Sequence, residues 1–170
     1  HVNVNYRYVA NEVHYIFDNS DAAVVVYGKE FRDNVEILRP RLPSVKLWIE
    51  VGDGAGLPAD ALDYEQLTAT GTGEDLDIAR GGDDLLFLYT GGTTGMPKGV
   101  MWEHDALRET QTMALRALGD VPETLDELKA HLQVNGPGEV YIPACPLMHG
   151  TGLFTAMAAM MNGGTIVTLG

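Results

Sequence analysis

"DLLFLYTGGTTGMPKGV", residues 84–100, joins a compact apolar run to a loop with almost no apolar surface. Leu85 to Tyr89 is short and continuous, as expected of a strand buried in an α/β sheet. From Tyr89 to Val100 the chain then carries four glycines, three threonines, one proline and one lysine. Such a stretch adds nothing to a core. It leaves the carboxyl end of a strand, the edge of an open α/β sheet where ligands bind, and it crowds backbone N–H groups and hydroxyls into a small volume. The glycines let the backbone approach a ligand closely. Thr90, Thr93 and Thr94 add hydroxyls, and Lys98 adds a mobile positive charge. Lys98 is the only Lys or Arg between Arg80 and Arg108. With 11 Lys and Arg against 24 Asp and Glu, a formal net charge of -13, any anionic ligand must be held locally. A single lysine beside a nest of donors suits a polyphosphate.

Outward from this stretch, strand and helix patterns alternate. "RYVANEVHYIF" sets Val9, Val13, Ile16 and Phe17 at helical spacing, and Asn19-Ser20-Asp21 stops that helix before the strand "AAVVVY". Phe31, Val35 and Leu38 repeat the helical pattern up to Pro40. "VKLWIEV" alternates, predicting a half-buried strand with Val45, Leu47, Ile49 and Val51 inward and Lys46, Trp48 and Glu50 outward. The Gly- and Asp-rich segment from Gly52 to Gly82 reads as a surface connection with one short helix near Tyr64 to Leu67. After the loop, "KGVMWEH" resumes extended structure. A helix then follows with Leu107, Leu115 and Leu118 on one face, started near Asp105. A second helix is expected with Pro122 in its first turn and Leu125, Leu128 and Leu132 following, before the turn "NGPG". "EVYIPA", "TGLFTAMAAMM" and "TIVTLG" give a last strand, helix and strand. The pattern predicts an α/β fold, a layered and largely parallel sheet flanked by helices. At 170 residues and 45% hydrophobic, the chain is long enough for one domain with a sizeable core.

Composition narrows the function. The negative charge argues against a nucleic-acid binder or a polybasic membrane-surface protein, since both need to attract phosphates. One cysteine, Cys145, forms neither an internal disulfide nor a Cys-rich zinc site and fits a reducing compartment, by default the cytoplasm. No leader pattern opens the chain, and the mostly apolar stretch Gly152 to Met161 is well short of the roughly 20 residues of a membrane span. The chain starts at His1 and ends on the apolar "TIVTLG", which reads as a piece of a longer protein. The loop is not a Walker A motif, because Lys98 follows Pro97 and precedes Gly99. "GDGAG", residues 52–56, lacks the third glycine of a dinucleotide fingerprint and reads as a surface turn.

"LYTGGTTGMPKGV" resembles the phosphate-binding signature of the adenylate-forming enzymes, the superfamily of acyl-CoA synthetases, nonribosomal adenylation domains and firefly-type luciferases. The family pattern, Tyr/Phe-Thr-Ser-Gly-Thr-Thr-Gly-x-Pro-Lys-Gly, is followed from Tyr89 through Gly99 with one departure: Gly91 stands where serine is usual, removing a hydroxyl and keeping the backbone N–H. The opening Asn3-Val4-Asn5-Tyr6-Arg7 is similar to the Asn-x-Asn-x-Arg run upstream of the signature in acyl-CoA synthetases. "PLMHGTGL", residues 146–153, is similar to the family's Pro-Leu-x-His-x-x-Gly segment. The likeness spans nearly the whole chain except an insertion-like stretch from about Gly119 to Gly138.

The resemblance implies that residues 1–170 are part of the N-terminal AMP-binding domain of an acyl-CoA synthetase, without its later motifs and small C-terminal domain, and catalytically silent alone. It implies a carboxylic acid, ATP and coenzyme A as substrates, with Mg2+ held by a carboxylate outside this chain. Thr90, Gly91, Gly92, Thr93, Thr94 and Gly95 would cradle the β- and γ-phosphates, and Lys98 would pair their charge. His149 would orient the carboxylate or donate to developing charge, with Gly150 and Gly152 beside it in the acyl pocket; the competing reading is a histidine satisfied inside the strand-to-helix turn. No metal ligand is assigned within the chain. His104 reads as a helix-start residue, His14 and His131 as solvated, Cys145 as a buried inert thiol, and "AMAAMMNGG" as core packing that would also suit an acyl-pocket wall. The expected acid is fatty, sterol-like or otherwise bulky and apolar, with aromatic acids open. No nucleic-acid partner and no membrane span are expected, and an oligomer is allowed. A carrier-protein acceptor and a non-catalytic polyphosphate-binding domain are the alternatives.

Overall fold

The computed structural model describes residues 1–91, 95–117, 119 and 121–168. In chain order they form β1 (Val2–Asn3), α1 (Ala10–Asn19), β2 (Val24–Gly28), α2 (Arg32–Leu38), β3 (Leu47–Val51), β4 (Leu62–Asp63), α3 (Tyr64–Ala69), β5 (Leu85–Thr90), β6 (Lys98–Glu103), α4 (His104–Arg116), α5 (Leu125–Asn135), β7 (Val140–Tyr141), α6 (Gly150–Met161) and β8 (Thr165–Ile166). The chain divides into two compact units. One comprises His1–Asn5, Arg80–Thr90 and Gly99–Gly170, and the other Tyr6–Ala79 and Gly91–Lys98.

In the second unit the sheet order is β2-β3-β4, with parallel pairs and register Val24↔Leu47, Val26↔Ile49 and Ile49↔Leu62. The helical spacing of α1 buries Ile16 completely and stacks Phe17 edge-on against Trp48 at 6.4 Å. Asp21, at φ +50, takes the left-handed turn that ends α1. Val35 and Leu38 of α2 join Val25, Tyr27, Leu42, Val45 and Trp48 in one core cluster. Pro40 follows in a 3-10 turn, because proline cannot supply the N–H that would continue the helix.

The alternation expected of β3 holds at Val45, Lys46 and Ile49 and fails at Leu47, Trp48, Glu50 and Val51. Trp48 and Glu50 are buried at 5% and 1% exposure, whereas Leu47 and Val51 are exposed. Arg32 on α2 is the cause. Its Nε donates to Glu50 Oε2 at 2.8 Å, its second terminal nitrogen donates to Oε1, and the guanidinium also reaches the Ala55 carbonyl at 3.1 Å. A paired carboxylate is tolerable in an apolar layer, and Trp48 comes inward on the same side of the strand. A further strand that alternation did not reveal, β4, pairs with β3 and ends on Asp63, whose carboxylate accepts the Gln66 N–H and caps α3.

In the first unit the sheet order is β1-β5-β6, with β1 parallel to β5 in the register Val2↔Phe87 and Asn3↔Leu88. β7 and β8 form a separate parallel pair. The start of α4 is fixed on the turn before β5: His104 N–H donates to the Asp84 carbonyl and Asp105 N–H to the Gly82 carbonyl. Leu107 is buried, while Leu118 lies outside the described residues. Gln111 Nε2 donates to the Phe154 carbonyl at 3.0 Å, and Trp102 meets the Phe154 ring edge-on at 5.4 Å, joining α4 and β6 to α6. Pro122 does not open α5. Thr124 does, through a reciprocal cap in which its hydroxyl accepts the Glu127 N–H and the Glu127 carboxylate accepts the Thr124 N–H. Leu125 is exposed, so the expected apolar stripe is only partly buried. Among the described residues no helix is long and apolar enough to cross a membrane.

Candidate functional site

β5 ends on Thr90, which is exposed and passes directly to the exposed Gly91. At the far side of the loop Gly95 has φ +125, a backbone conformation that side-chain-bearing residues rarely adopt. Pro97 is buried and Lys98 is exposed. The loop is therefore anchored one residue before its lysine and opens that lysine to solvent. Gly92, Thr93 and Thr94 lie outside the described residues.

His149 comes from the turn before α6. Its N–H donates to the Pro146 carbonyl at 3.0 Å, its φ of -97° and ψ of 142° are those of a helix N-cap, and its carbonyl accepts the Leu153 N–H. Two contacts bring this turn to β1 and β5. Asn3 Nδ2 donates to the Leu147 carbonyl at 3.4 Å, and Gly150 lies against Leu88, the residue that pairs with Asn3. The first unit thus sets His149 beside the carboxyl end of β5. The imidazole is exposed and makes no hydrogen bond among the described residues, so it is not satisfied inside the turn. Gly152 is buried with its Cα facing the carbonyls of Cys145 and Pro146, leaving no room for a side chain.

The remaining candidates separate by their contacts. His104 is the first residue of α4, as expected. His131 is exposed beside Asn135, also as expected. His14 is not simply solvated: it is half-buried, with Nε2 3.3 Å from the Arg41 carbonyl. Cys145 is half-buried, not fully enclosed. On α6 the buried side chains are Ala156 and Ala159, while Met160 is exposed and Met157 and Met161 are half-buried. Alanine takes the close helix contacts, and the longer methionines lie further out.

Shifted carboxyl groups cluster in ion pairs. Arg108 hydrogen-bonds Glu123 and holds its carboxyl below the usual range, assisted by Arg116. Arg32 does the same to Glu50 by hydrogen bonding, against the opposing effect of burial. Among the described residues no group of three His, Cys, Asp or Glu side chains could hold a metal ion. Asn3 is the site-building residue that reading the site residue by residue misses. Its signal was present in the Asn-x-Asn-x-Arg run.

β5 is thus followed in sequence by the Gly- and Thr-rich loop, and the turn that carries His149 lies against the same strand. The chain belongs to the AMP-binding enzyme family, whose sequence model matches residues 1–170. It is 36% identical over 168 residues to the medium-chain acyl-CoA ligase Mig of Mycobacterium avium, covering 97% of this chain and 30% of that protein. It is 34% identical over 169 residues to the 3-oxocholest-4-en-26-oate–CoA ligase of Rhodococcus rhodochrous, covering 98% of this chain and 30% of that protein. A crystal structure of a putative long-chain-fatty-acid CoA ligase from Rhodopseudomonas palustris CGA009 superposes with a TM-score of 0.72 at 24% identity, over 97% of this chain and 37% of that one. The chain therefore spans about a third of the length of these proteins.

Proposed function

We propose that residues 1–170 form the phosphate-loop part of the large N-terminal domain of an ATP-dependent acyl-CoA ligase. The observation that carries this reading is the Tyr89–Gly99 signature at the carboxyl end of β5, with Thr90 and Lys98 exposed. In the proposed reaction a carboxylate oxygen attacks the α-phosphorus of ATP and pyrophosphate leaves. The coenzyme A thiolate then attacks the acyl carbon and AMP leaves.

Thr90, Gly91, Gly92, Thr93, Thr94 and Gly95 bind the β- and γ-phosphates through N–H groups and hydroxyls, and Lys98 offsets their charge. Positioning is the main contribution in such a step, because little covalent chemistry is asked of the protein. Magnesium, when bound, supplies charge neutralisation at the same phosphate oxygens. His149 orients the carboxylate from the α6 N-terminus, where the first N–H groups also favour negative charge. Gly150 and Gly152 let α6 start close against Leu88 and the Cys145 and Pro146 carbonyls, which fixes the turn that carries His149 beside the proposed acyl pocket. The half-buried methionines of α6 suit an apolar acid, since thioether side chains repack around irregular shapes. The two ligases of similar sequence, named for medium-chain acyl groups and for a sterol-derived acid, point the same way.

The test is thioester formation by the protein of which this chain is proposed to be a part, over a panel of fatty, sterol-side-chain and aromatic acids. The reading expects a CoA thioester from a fatty or sterol-like acid, with a loss of about 10²-fold or more in His149→Ala. Thioester formation unaffected by that substitution contradicts the role of His149. Transfer to a carrier-protein thiol instead of CoA contradicts the acceptor.

A further inference from the structure

Leu88 and Tyr89 are successive residues of β5, so their side chains leave opposite faces of the strand, and both are buried. Each meets a glycine that directly follows a proposed site residue. A methyl group on Gly99 would lie 3.0 Å from Cζ of Tyr89 and 3.3 Å from Cε1 and Cε2. A methyl group on Gly150 would lie 2.7 Å from Cδ2 of Leu88. Gly99 sits inside β6, where a strand normally favours a branched or aromatic residue and glycine weakens it. The space a side chain would use there is filled by the Tyr89 ring.

We propose that Tyr89 and Leu88 are positioning residues, Tyr89 setting Lys98 through Gly99 and Leu88 setting His149 through Gly150. The inference rests on the functional reading above. The Tyr89 ring occupies the side-chain space at the first residue after Lys98, where the loop re-enters the sheet. Leu88 occupies the side-chain space at the first helical residue after His149, and its strand partner Asn3 holds the Leu147 carbonyl two residues before that histidine. Two successive residues of β5 thereby each meet a glycine next to a proposed site residue.

The test is a pair of reciprocal rescues in ATP–pyrophosphate exchange by the full-length protein, with melting temperatures measured for every variant. Gly99→Val is expected to raise the KM for ATP about tenfold while the KM for the acid moves less than about twofold. Adding Tyr89→Leu should restore the ATP value. Gly150→Ala is expected to raise the KM for the acid by about tenfold and leave that for ATP within about twofold, with Leu88→Val restoring it. Where Gly99→Val lowers the melting temperature, Gly99→Ala carries the same comparison with a smaller displacement. Both KM values moving together, or partner substitutions that restore nothing, show a structural role only and overturn the proposal. Unchanged kinetics in Gly99→Val and Gly150→Ala, with exchange lost in Lys98→Ala, overturn it and leave the functional reading standing. Unchanged kinetics in Lys98→Ala as well remove both.

Discussion

Glu50 is a charged residue at 1% exposure, and its pairing with Arg32 makes that possible. The Arg32 hydrogen bonds hold its carboxyl below the usual range, more than offsetting the opposing pull of burial. Its folded pKa is depressed, so its contribution to stability is fully present above the unfolded value of about 4.3 and is lost as pH falls through the folded value. Glu50→Gln should lower Tm by roughly 5 °C near neutral pH. It should also flatten the fall in stability from about pH 5 downward, leaving the share of Asp53, Asp60 and Glu123, whose carboxyls are likewise held low. Denaturant titrations across that range measure both effects; an unchanged pH slope contradicts the assignment. This residue also shows where sequence reading fails. Alternation in "VKLWIEV" predicted Glu50 and Trp48 outward, because a strand pattern carries no sign of a cation supplied from 18 positions earlier. The exposure of Thr90, Gly91 and Lys98 was legible, since glycine, threonine and lysine add little to a core.

Elements were read best where period and punctuation agreed. α1, α3, α4, α6 and the strands β2, β3 and β5 fall where spacing placed them. α5 was found with its start misread, since Pro122 is a weaker marker than the Thr124–Glu127 reciprocal cap. Thr124→Ala should destabilise α5 by about 1 kcal/mol, seen as faster amide exchange confined to residues 125–135. Exchange rising equally in α4 and α6 would contradict a local cap. In the first turn of α6, Gly152→Ala drives a methyl group into the Cys145 and Pro146 carbonyls of the segment before the helix. Overpacking against backbone of this kind is expected to destabilise by about 1–3 kcal/mol, checked by chemical denaturation. A neutral result would show that the turn has room to move. β4 was not legible, because two residues cannot display a period.

For the whole molecule, the sequence foresaw the parallel α/β class and not the division into two units, because contacts between His1–Asn5 and Arg80–Thr90 are remote in sequence. The net charge of -13 and a sequence pI near 4.5 act at this scale too. Self-repulsion opposes non-specific association at neutral pH, so solubility should pass through a minimum near the pI, readable by light scattering against pH. Strong association at neutral pH would instead indicate a specific interface. An acidic molecule binding a polyphosphate, as proposed, would do so through local donors, which makes Lys98 the group to test. The measurement that tests this most directly is carboxylate-dependent ATP–pyrophosphate exchange by the full-length protein, wild type against Lys98→Ala. Exchange that requires an apolar carboxylic acid and falls by about 10²-fold or more in the mutant, with the melting temperature unchanged, is the result expected. Exchange of equal rate in the two proteins would contradict the phosphate role of the loop and the function proposed from it.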